Sequence, residues 1–182
     1  MWQRYWDGRG RDFTMLAAAQ DVRGEEAVRP VVEERGVTFP VILDRASRLA
    51  ALLGFQIVPS GCFVDAAGTV VHRAPELDIG DPRVRRNLEA FLAGDEIEAP
   101  ESERPLDPRA LELFAEGVGA FAAGDRTTAL ALWRTALRSD PDNFLIRSQI
   151  WAVEHPERFY PVVDRDWQER QLIKDGYDKP LP

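Results

Sequence analysis

Residues 54–68 read GFQIVPSGCFVDAAG, and this stretch decides the fold. An apolar segment reaches Val58-Pro59, and a short apolar run at residues 62–65 follows it. The sequence Ala-Ala-Gly then turns the chain into a second run at residues 69–73. Two short apolar runs on either side of a glycine turn are typical of a β-hairpin, in which the glycine takes a positive φ angle.

Three more apolar runs lie upstream of this hairpin. Residues 39–44 read FPVILD, residues 49–55 read LAALLGF and residues 14–21 read TMLAAAQD. Together with the hairpin they resemble the second half of a thioredoxin-like domain, in the branch that contains thiol–disulfide oxidoreductases and the alkyl hydroperoxide reductase and thiol-specific antioxidant peroxidases. The resemblance covers residues 1–93. It implies an α/β fold in which the peptide bond Val58-Pro59 is cis.

The resemblance does not include the redox centre of that family. The family's reactive cysteines lie at the start of its first long helix and just after the central strand, and residues 2–6 here correspond to the latter part of that helix. Neither Cys-x-x-Cys nor Thr-x-x-Cys occurs, and the one cysteine, Cys62, cannot form an intramolecular disulfide. We therefore expect this chain neither to reduce disulfides nor to turn over peroxide through a thiol relay.

The central strand of a thioredoxin-like sheet would come before the helix at residues 2–6. It would lie between the strands that residues 14–19 and 62–65 form here. We therefore expect a partial thioredoxin-like fold, with either a shortened sheet of three or four strands or a homodimer in which a second copy supplies a strand. The run at residues 13–19 is continuously apolar and predicts a strand that is buried on both faces.

The composition is that of a folded protein without a nucleic-acid or membrane partner. The 182 residues are 45% hydrophobic and 30% charged, with a net charge of −8. This charge argues against binding to nucleic acid or to an anionic membrane, since both need clustered cations. No apolar run approaches the roughly 18 residues of a membrane-spanning helix. The chain as written carries no signal peptide and would be cytoplasmic, whereas an upstream signal or anchor would place it outside the cytoplasm.

A second, helical segment follows an acidic linker. Residues 94–107 read GDEIEAPESERPLD, and two prolines with six acidic residues indicate an exposed linker. Residues 110–143 resemble one tetratricopeptide repeat. The matching positions are Gly117, Gly124, Ala129, Trp133, Ala136, Leu137 and Pro141. The predicted domains are thus a partial thioredoxin-like domain at 1–93, the linker at 94–107 and a tetratricopeptide-like segment with a C-terminal cap at 108–182.

One repeat cannot bury its own faces, because each repeat needs neighbours to complete the core. Residues 144–155 predict a third helix, and the aromatic residues within 158–177 can fold back as a cap. The helical segment carries more aromatic surface than an isolated hairpin can cover. We therefore expect it to dock on the N-terminal part of the chain.

Few residues in this sequence suggest a site. The resemblance implies that the loop of Val58, Pro59 and Ser60 offers backbone groups to an extended peptide. Cys62 lies within an apolar strand with no neighbouring cation, which predicts an unreactive structural cysteine. His72 is expected to be an ordinary surface histidine, and two histidines do not suggest a metal site or a general base. No cofactor motif is present.

The sequence therefore favours a redox-inactive thioredoxin-like protein that acts as a protein–protein interaction module. Its partner would be a protein or peptide, and a homodimer remains open. The alternative is that this chain is the distal part of a thiol–disulfide oxidoreductase or thiol peroxidase whose active-site cysteines lie upstream of Met1. The sequence leaves open whether the protein is an enzyme.

Overall fold

Helices and strands alternate in the first half of the chain, and helices alone follow. The computed structural model describes residues 1–98, 106–160 and 162–177, so residues 99–105 of the predicted linker lie outside the described residues. The mixed α/β class is confirmed. The elements are α1 (Trp2–Gly8), β1 (Ala17–Ala19), α2 (Glu25–Glu34), β2 (Val41–Leu43), α3 (Arg48–Leu53), β3 (Gly61–Val64), β4 (Val70–Ala74), α4 (Pro82–Ala93), α5 (Pro108–Ala122), α6 (Arg126–Ser139), α7 (Phe144–Glu154), a 3-10 turn (Pro156–Arg158) and α8 (Arg165–Lys174).

The strands form two separate sheets among the described residues. Strands β1 and β2 pair in parallel, with Ala17 opposite Val41, and β3 and β4 pair in antiparallel fashion, with Phe63 opposite His72. The hairpin between β3 and β4 turns at Gly68, whose φ is 82°, as the sequence predicts. The expected single sheet of three or four strands is wrong. The flanking strands β1 and β3 do not pair; β3 packs on α1 and α4, and the end of β1 bonds to α7.

Strand β1 is shorter and more exposed than its apolar sequence predicts. Regular pairing is limited to Ala17–Ala19, and Leu16 just before it is 56% exposed. The prediction of a strand at residues 13–19 buried on both faces is therefore wrong. Alanine has a low preference for strands and offers little side chain to pack, so this run buries less apolar surface than its length suggests.

Prolines in α4 and α2 have different outcomes. The sequence Asp81-Pro82 predicts a helix that Asp81 caps, and this is confirmed: Asp81 accepts a hydrogen bond from the Arg83 backbone N–H, and Pro82 occupies the first helical position. In α2, Pro30 predicts a late start or a kink, yet the helix begins at Glu25 and continues through the proline. Residues of α2 are at most half-buried, so solvent can satisfy a carbonyl group that the missing proline N–H leaves unpaired.

Helices α1 and α4 cover one face of the β3–β4 hairpin. Phe63 of β3 packs in a cluster with Leu88 of α4 and with Tyr5 of α1. The Tyr5 hydroxyl donates a hydrogen bond to Glu89, which also pairs with Arg9. Burial, and next the hydrogen bond to Glu89, raise the pKa of Tyr5 to about 12. The phenol is therefore neutral at physiological pH and links α1 to α4.

Helices α5 and α6 form the antiparallel hairpin that the repeat pattern predicts. Trp133 of α6 is fully buried between them, and its indole N–H donates a hydrogen bond to the Phe114 carbonyl oxygen at 3.0 Å. A Cβ atom on Gly117 would overlap the Trp133 ring, so this position of α5 needs glycine. The side chain of Asp125 caps α6 by accepting a hydrogen bond from the Thr128 N–H.

Helix α7 is enclosed by other elements. All nine residues from Leu145 to Val153 are buried. Helix α8 covers one side of α7: the rings of Trp151 and Trp167 meet edge to face at 5.6 Å, and Leu172 is buried. The expected third helix and C-terminal cap are thus both present.

The helical segment docks on the N-terminal part, as predicted, and an amide on α7 provides the main polar link. The Gln149 side chain donates to the Gln20 carbonyl oxygen and accepts from the Val22 N–H, both at 2.9 Å. Val22 itself is fully buried in the hydrophobic core of α5, α6 and α7. Arg45 completes the link by donating two hydrogen bonds to the Val22 carbonyl oxygen.

The described helices are all too short or too polar to cross a membrane.

We predict that Gln149→Ala destabilises the protein by about 1–3 kcal/mol, because the substitution leaves the buried Val22 N–H and the partly buried Gln20 carbonyl group unpaired. Urea unfolding monitored by tryptophan fluorescence measures this loss. Gln171→Ala is the matched control, because its amide makes an exposed hydrogen bond with Asp175, and we expect a change below about 0.5 kcal/mol. Equal losses for the two variants would contradict the role of Gln149.

Candidate functional site

The candidate site is the loop at residues 56–60 that leads into β3. The peptide bond Val58-Pro59 is cis, which confirms the expectation from the sequence. Contacts on two sides hold the loop. Leu77 donates its N–H to the Pro59 carbonyl oxygen at 2.8 Å, and its side chain packs so closely on Gly61 that a Cβ atom there would overlap it. On the other side, Leu145 at the start of α7 donates its N–H to the Gln56 carbonyl oxygen at 2.9 Å.

The three residues predicted to bind a partner differ in what they expose. Val58 is 53% exposed, and its N–H and carbonyl oxygen make no hydrogen bond within the described residues. Pro59 is also exposed. The Ser60 hydroxyl lies 2.6 Å from the Pro75 carbonyl oxygen and 2.8 Å from that of Ile57, so it serves the loop itself. Val58 thus presents the free backbone groups of this loop.

Strand β3 continues from this loop and has an open edge. Strand β4 occupies one edge of β3, and none of the other described strands pairs with the opposite edge. An unpaired strand edge presents N–H and carbonyl groups that can bond to another extended chain. The free Val58 backbone therefore lies three residues before a strand whose edge opposite β4 is unpaired among the described strands.

Cys62 lies in β3, one residue after Gly61. Its side chain packs beside Ala50, Phe55 and Leu145, and it is half-buried. Burial raises the pKa of the Cys62 thiol, and Arg73 opposes this effect only in part. A raised pKa lowers the fraction of the reactive thiolate, which is the nucleophilic form. The environment of Cys62 therefore does not activate it.

His72 is not the surface histidine that the sequence suggested. It is 6% exposed and stacks on Phe63, with ring centroids 5.0 Å apart. Strand alternation explains the error, because Phe63 and His72 are directly opposite and share the face that α4 covers. Burial lowers the pKa of His72, partly offset by a hydrogen bond with the backbone of Glu98. His155 lies far along the chain beside Trp167.

The described residues hold no other arrangement with obvious chemistry. Among them, no group of three or more histidine, cysteine, aspartate or glutamate side chains could hold a metal ion. A groove of about 720 Å³ runs along α4. It is lined by Gly80, Pro82, Arg85, Arg86, Glu89, Ala90, Ala93 and Asp95. This groove contains neither a thiol, a hydroxyl nor an imidazole, and one of its two carboxylates, that of Glu89, is already paired with Tyr5 and Arg9.

Two residues near the loop were missed by sequence reasoning. The Oε1 atom of Gln20 and the Nε2 atom of Gln56 are buried and have no hydrogen-bond partner in the part of the chain that the structure describes. Gln20 follows β1, and Gln56 precedes the loop. A single glutamine carries no sequence motif, so only the folded arrangement identifies these two amides.

Comparisons of this chain with protein-family models, with curated proteins and with solved structures found no match.

We predict that stability falls between pH 7 and pH 5 because of His72. Its pKa in the folded protein lies below the ordinary value of about 6.5, so the unfolded chain binds the proton more readily. The stabilisation is fully present above pH 6.5 and is lost as the pH falls through the folded pKa, with a slope of at most about 1.4 kcal/mol per pH unit. Urea titrations at each pH measure the slope.

His72→Phe keeps an aromatic ring against Phe63 and removes the titrating group. We expect its stability to vary less with pH over the same range. The carboxylates whose pKa values are lowered, such as Asp81 and Asp125, lose their stabilisation only at lower pH. A slope that is the same in the wild type and in His72→Phe would contradict the prediction.

Proposed function

We propose that this chain is a redox-inactive thioredoxin-like protein that binds an extended segment of another protein at the loop of Val58, Pro59 and Ser60. In this proposal it is a protein–protein interaction module, and its C-terminal helices are a tetratricopeptide-like hairpin that supports the loop. The observation that carries the proposal is the free backbone of Val58 beside the open edge of β3. An extended peptide can add to such an edge as a further strand.

The rigidity of the loop supports this proposal. Leu77 and Leu145 bond to the carbonyl oxygens on either side of Val58, at Pro59 and Gln56. A loop that is already fixed in its binding conformation loses little conformational entropy when it binds. The helical segment contributes through Leu145, so its docking and the shape of the loop are coupled.

The environment of Cys62 supports the redox-inactive part of the proposal. Thiol–disulfide exchange needs an attacking thiolate and a second thiol that resolves the mixed disulfide. This chain has one cysteine, and burial raises its pKa. Its strand instead supplies backbone groups that can pair with a partner.

We predict that Cys62 in the folded chain reacts with Ellman's reagent at pH 7.5 at least about tenfold more slowly than in the chain unfolded in urea, because its thiolate is disfavoured and its side chain is half-buried. Absorbance at 412 nm follows the reaction, and Cys62→Ser gives the background. Equal rates in the folded and unfolded chains would contradict an unactivated thiol.

The binding test uses random heptapeptides displayed on phage. Panning should enrich peptides, and synthetic copies should bind the wild-type chain. Val58→Asp should weaken their binding at least about tenfold, because a charged carboxylate disfavours an uncharged strand beside it. This value corresponds to about 1.4 kcal/mol. Fluorescence anisotropy of the labelled peptides measures the dissociation constants.

Val71→Asp is the matched control. Val71 has a similar exposure to Val58 but lies on β4, outside the loop. Its substitution should leave peptide binding within about twofold. The proposed function would be contradicted if panning enriched no peptide, or if the two aspartate variants bound the enriched peptides equally well.

A further inference from the structure

Strand β2 bonds to β1 through alternate residues. Ala17 of β1 donates its N–H to the Pro40 carbonyl oxygen, and Asp44 donates its N–H to the Ala19 carbonyl oxygen. The parallel register of the two strands places the backbone groups of Ile42 in the same row, because alternate residues of a strand direct these groups to opposite sides. The even-numbered residues of this segment therefore face β1.

The odd-numbered residues leave the other edge of β2 open. The N–H and carbonyl groups of Val41 and Leu43 point away from β1 and make no hydrogen bond within the described residues. None of the other described strands pairs with this edge. Phe39 before the strand is buried, and Asp44 after it accepts a hydrogen bond from the Ser47 N–H in a turn. The open edge is thus the length of β2 itself, three residues.

This edge lacks the features that usually protect an exposed strand from pairing. Residues 36–43 read GVTFPVIL and contain no charged side chain, although edge strands are commonly protected by a charge or a proline. Pro40 does not protect the open edge, because its position faces β1. Leu16, Ile42 and Leu43 are 56%, 43% and 40% exposed. An uncharged edge between exposed apolar side chains fits a partner strand.

The short length of the edge selects the kind of partner. A flexible peptide loses backbone entropy at every residue that it orders, and pairing over three residues offsets little of this cost. A strand that is already fixed in a folded protein does not lose this entropy when it binds. Strand β2 of a second copy of this chain is such a strand, with the same length and the same uncharged sequence.

Strand β2 also matches itself across a two-fold axis. In an antiparallel pair centred on Ile42, Val41 lies opposite Leu43 of the second copy. Both residues direct their N–H and carbonyl groups to the open edge, so each such pair makes both hydrogen bonds of an antiparallel ladder. Ile42 lies on the axis, where its side chain meets that of its own copy. Contacts of this isologous type are the commonest in homo-oligomers.

We propose that the open edge of β2 pairs with β2 of a second copy of this chain and forms a homodimer. The pairing joins the two copies of the β1–β2 sheet into one sheet in the order β1, β2, β2, β1. It involves far fewer residues than the roughly 20–30 a side of a standard interface, so the dimer is weak. The inference goes beyond the proposed function, because the loop of Val58 takes no part in this contact.

Charges at Ile42 test the contact on the two-fold axis. Sedimentation velocity from roughly 10 µM to 1 mM, the range of a weak interface, should show a dimer of the wild-type chain. Ile42→Lys and Ile42→Glu each place like charges opposite one another, so each should weaken dimerisation at least about tenfold. An equimolar mixture of these two variants should restore the dimer, because lysine then lies opposite glutamate.

Val71→Lys and Val71→Glu are the matched controls. Val71 is 44% exposed, almost the same as Ile42, but it lies on β4. Both control variants should dimerise like the wild type. Circular dichroism confirms that each variant folds.

Leu43→Pro tests the backbone groups of the edge. Proline removes the N–H that faces the second copy and no hydrogen bond to β1, so the variant should fold and dimerise at least about tenfold more weakly. Amide hydrogen exchange of the wild type, followed by NMR, gives a second readout. The amides of Val41 and Leu43 should exchange more slowly as the protein concentration rises, whereas exchange at Ile42, which faces β1, should not depend on concentration.

The inference is overturned if the wild-type chain stays monomeric up to about 1 mM, if the Val71 variants lose the dimer as the Ile42 variants do, or if mixing Ile42→Lys with Ile42→Glu does not restore it. A folded Leu43→Pro that dimerises like the wild type would overturn it as well. Val58→Asp should dimerise normally, and Ile42→Lys should bind the panned peptides normally. The dimer and the proposed function can therefore fail independently.

Discussion

The hydrogen bonds between the Gln149 side chain and the backbone at Gln20 and Val22 are the constraint on which the rest of the structure depends. They fix α7 against the end of β1, and α7 in turn bonds to the loop before β3 through Leu145. Because the same helix also packs on α6 and α8, one buried element joins the helical segment to both sheets. The two halves of the chain therefore form one structural unit.

This coupling explains why an unusual pair of small sheets can persist. Isolated two-stranded sheets are marginal in water, and each sheet here is held by helices instead. Strand β3 is fixed by the aromatic cluster around Phe63, and the end of β1 is fixed by Gln149. Neither contact requires β1 and β3 to meet, and the two strands do not pair. The edge of β3 opposite β4 is therefore open to the proposed partner.

Burial shifts the pKa values of the cysteine and the histidine of the β3–β4 hairpin in opposite directions. Cys62 lies where burial raises its pKa, and His72 lies where burial lowers its own. Both are consequently neutral near pH 7 and add no charge to the hairpin. Backbone groups and neutral side chains are consistent with the proposed recognition of an extended chain.

The sequence by itself determined the local structure, because interactions between neighbouring residues specify it. Examples are the turn at Gly68, the cap at Asp81 and the helices α5 and α6 around Trp133. Only the tertiary structure decided how the strands pair, that His72 is buried and where the amides of Gln20, Gln56 and Gln149 lie. Pairing and burial depend on residues far apart in the chain. The sequence around a glutamine does not indicate its hydrogen-bond partner, because only the fold brings the two groups together.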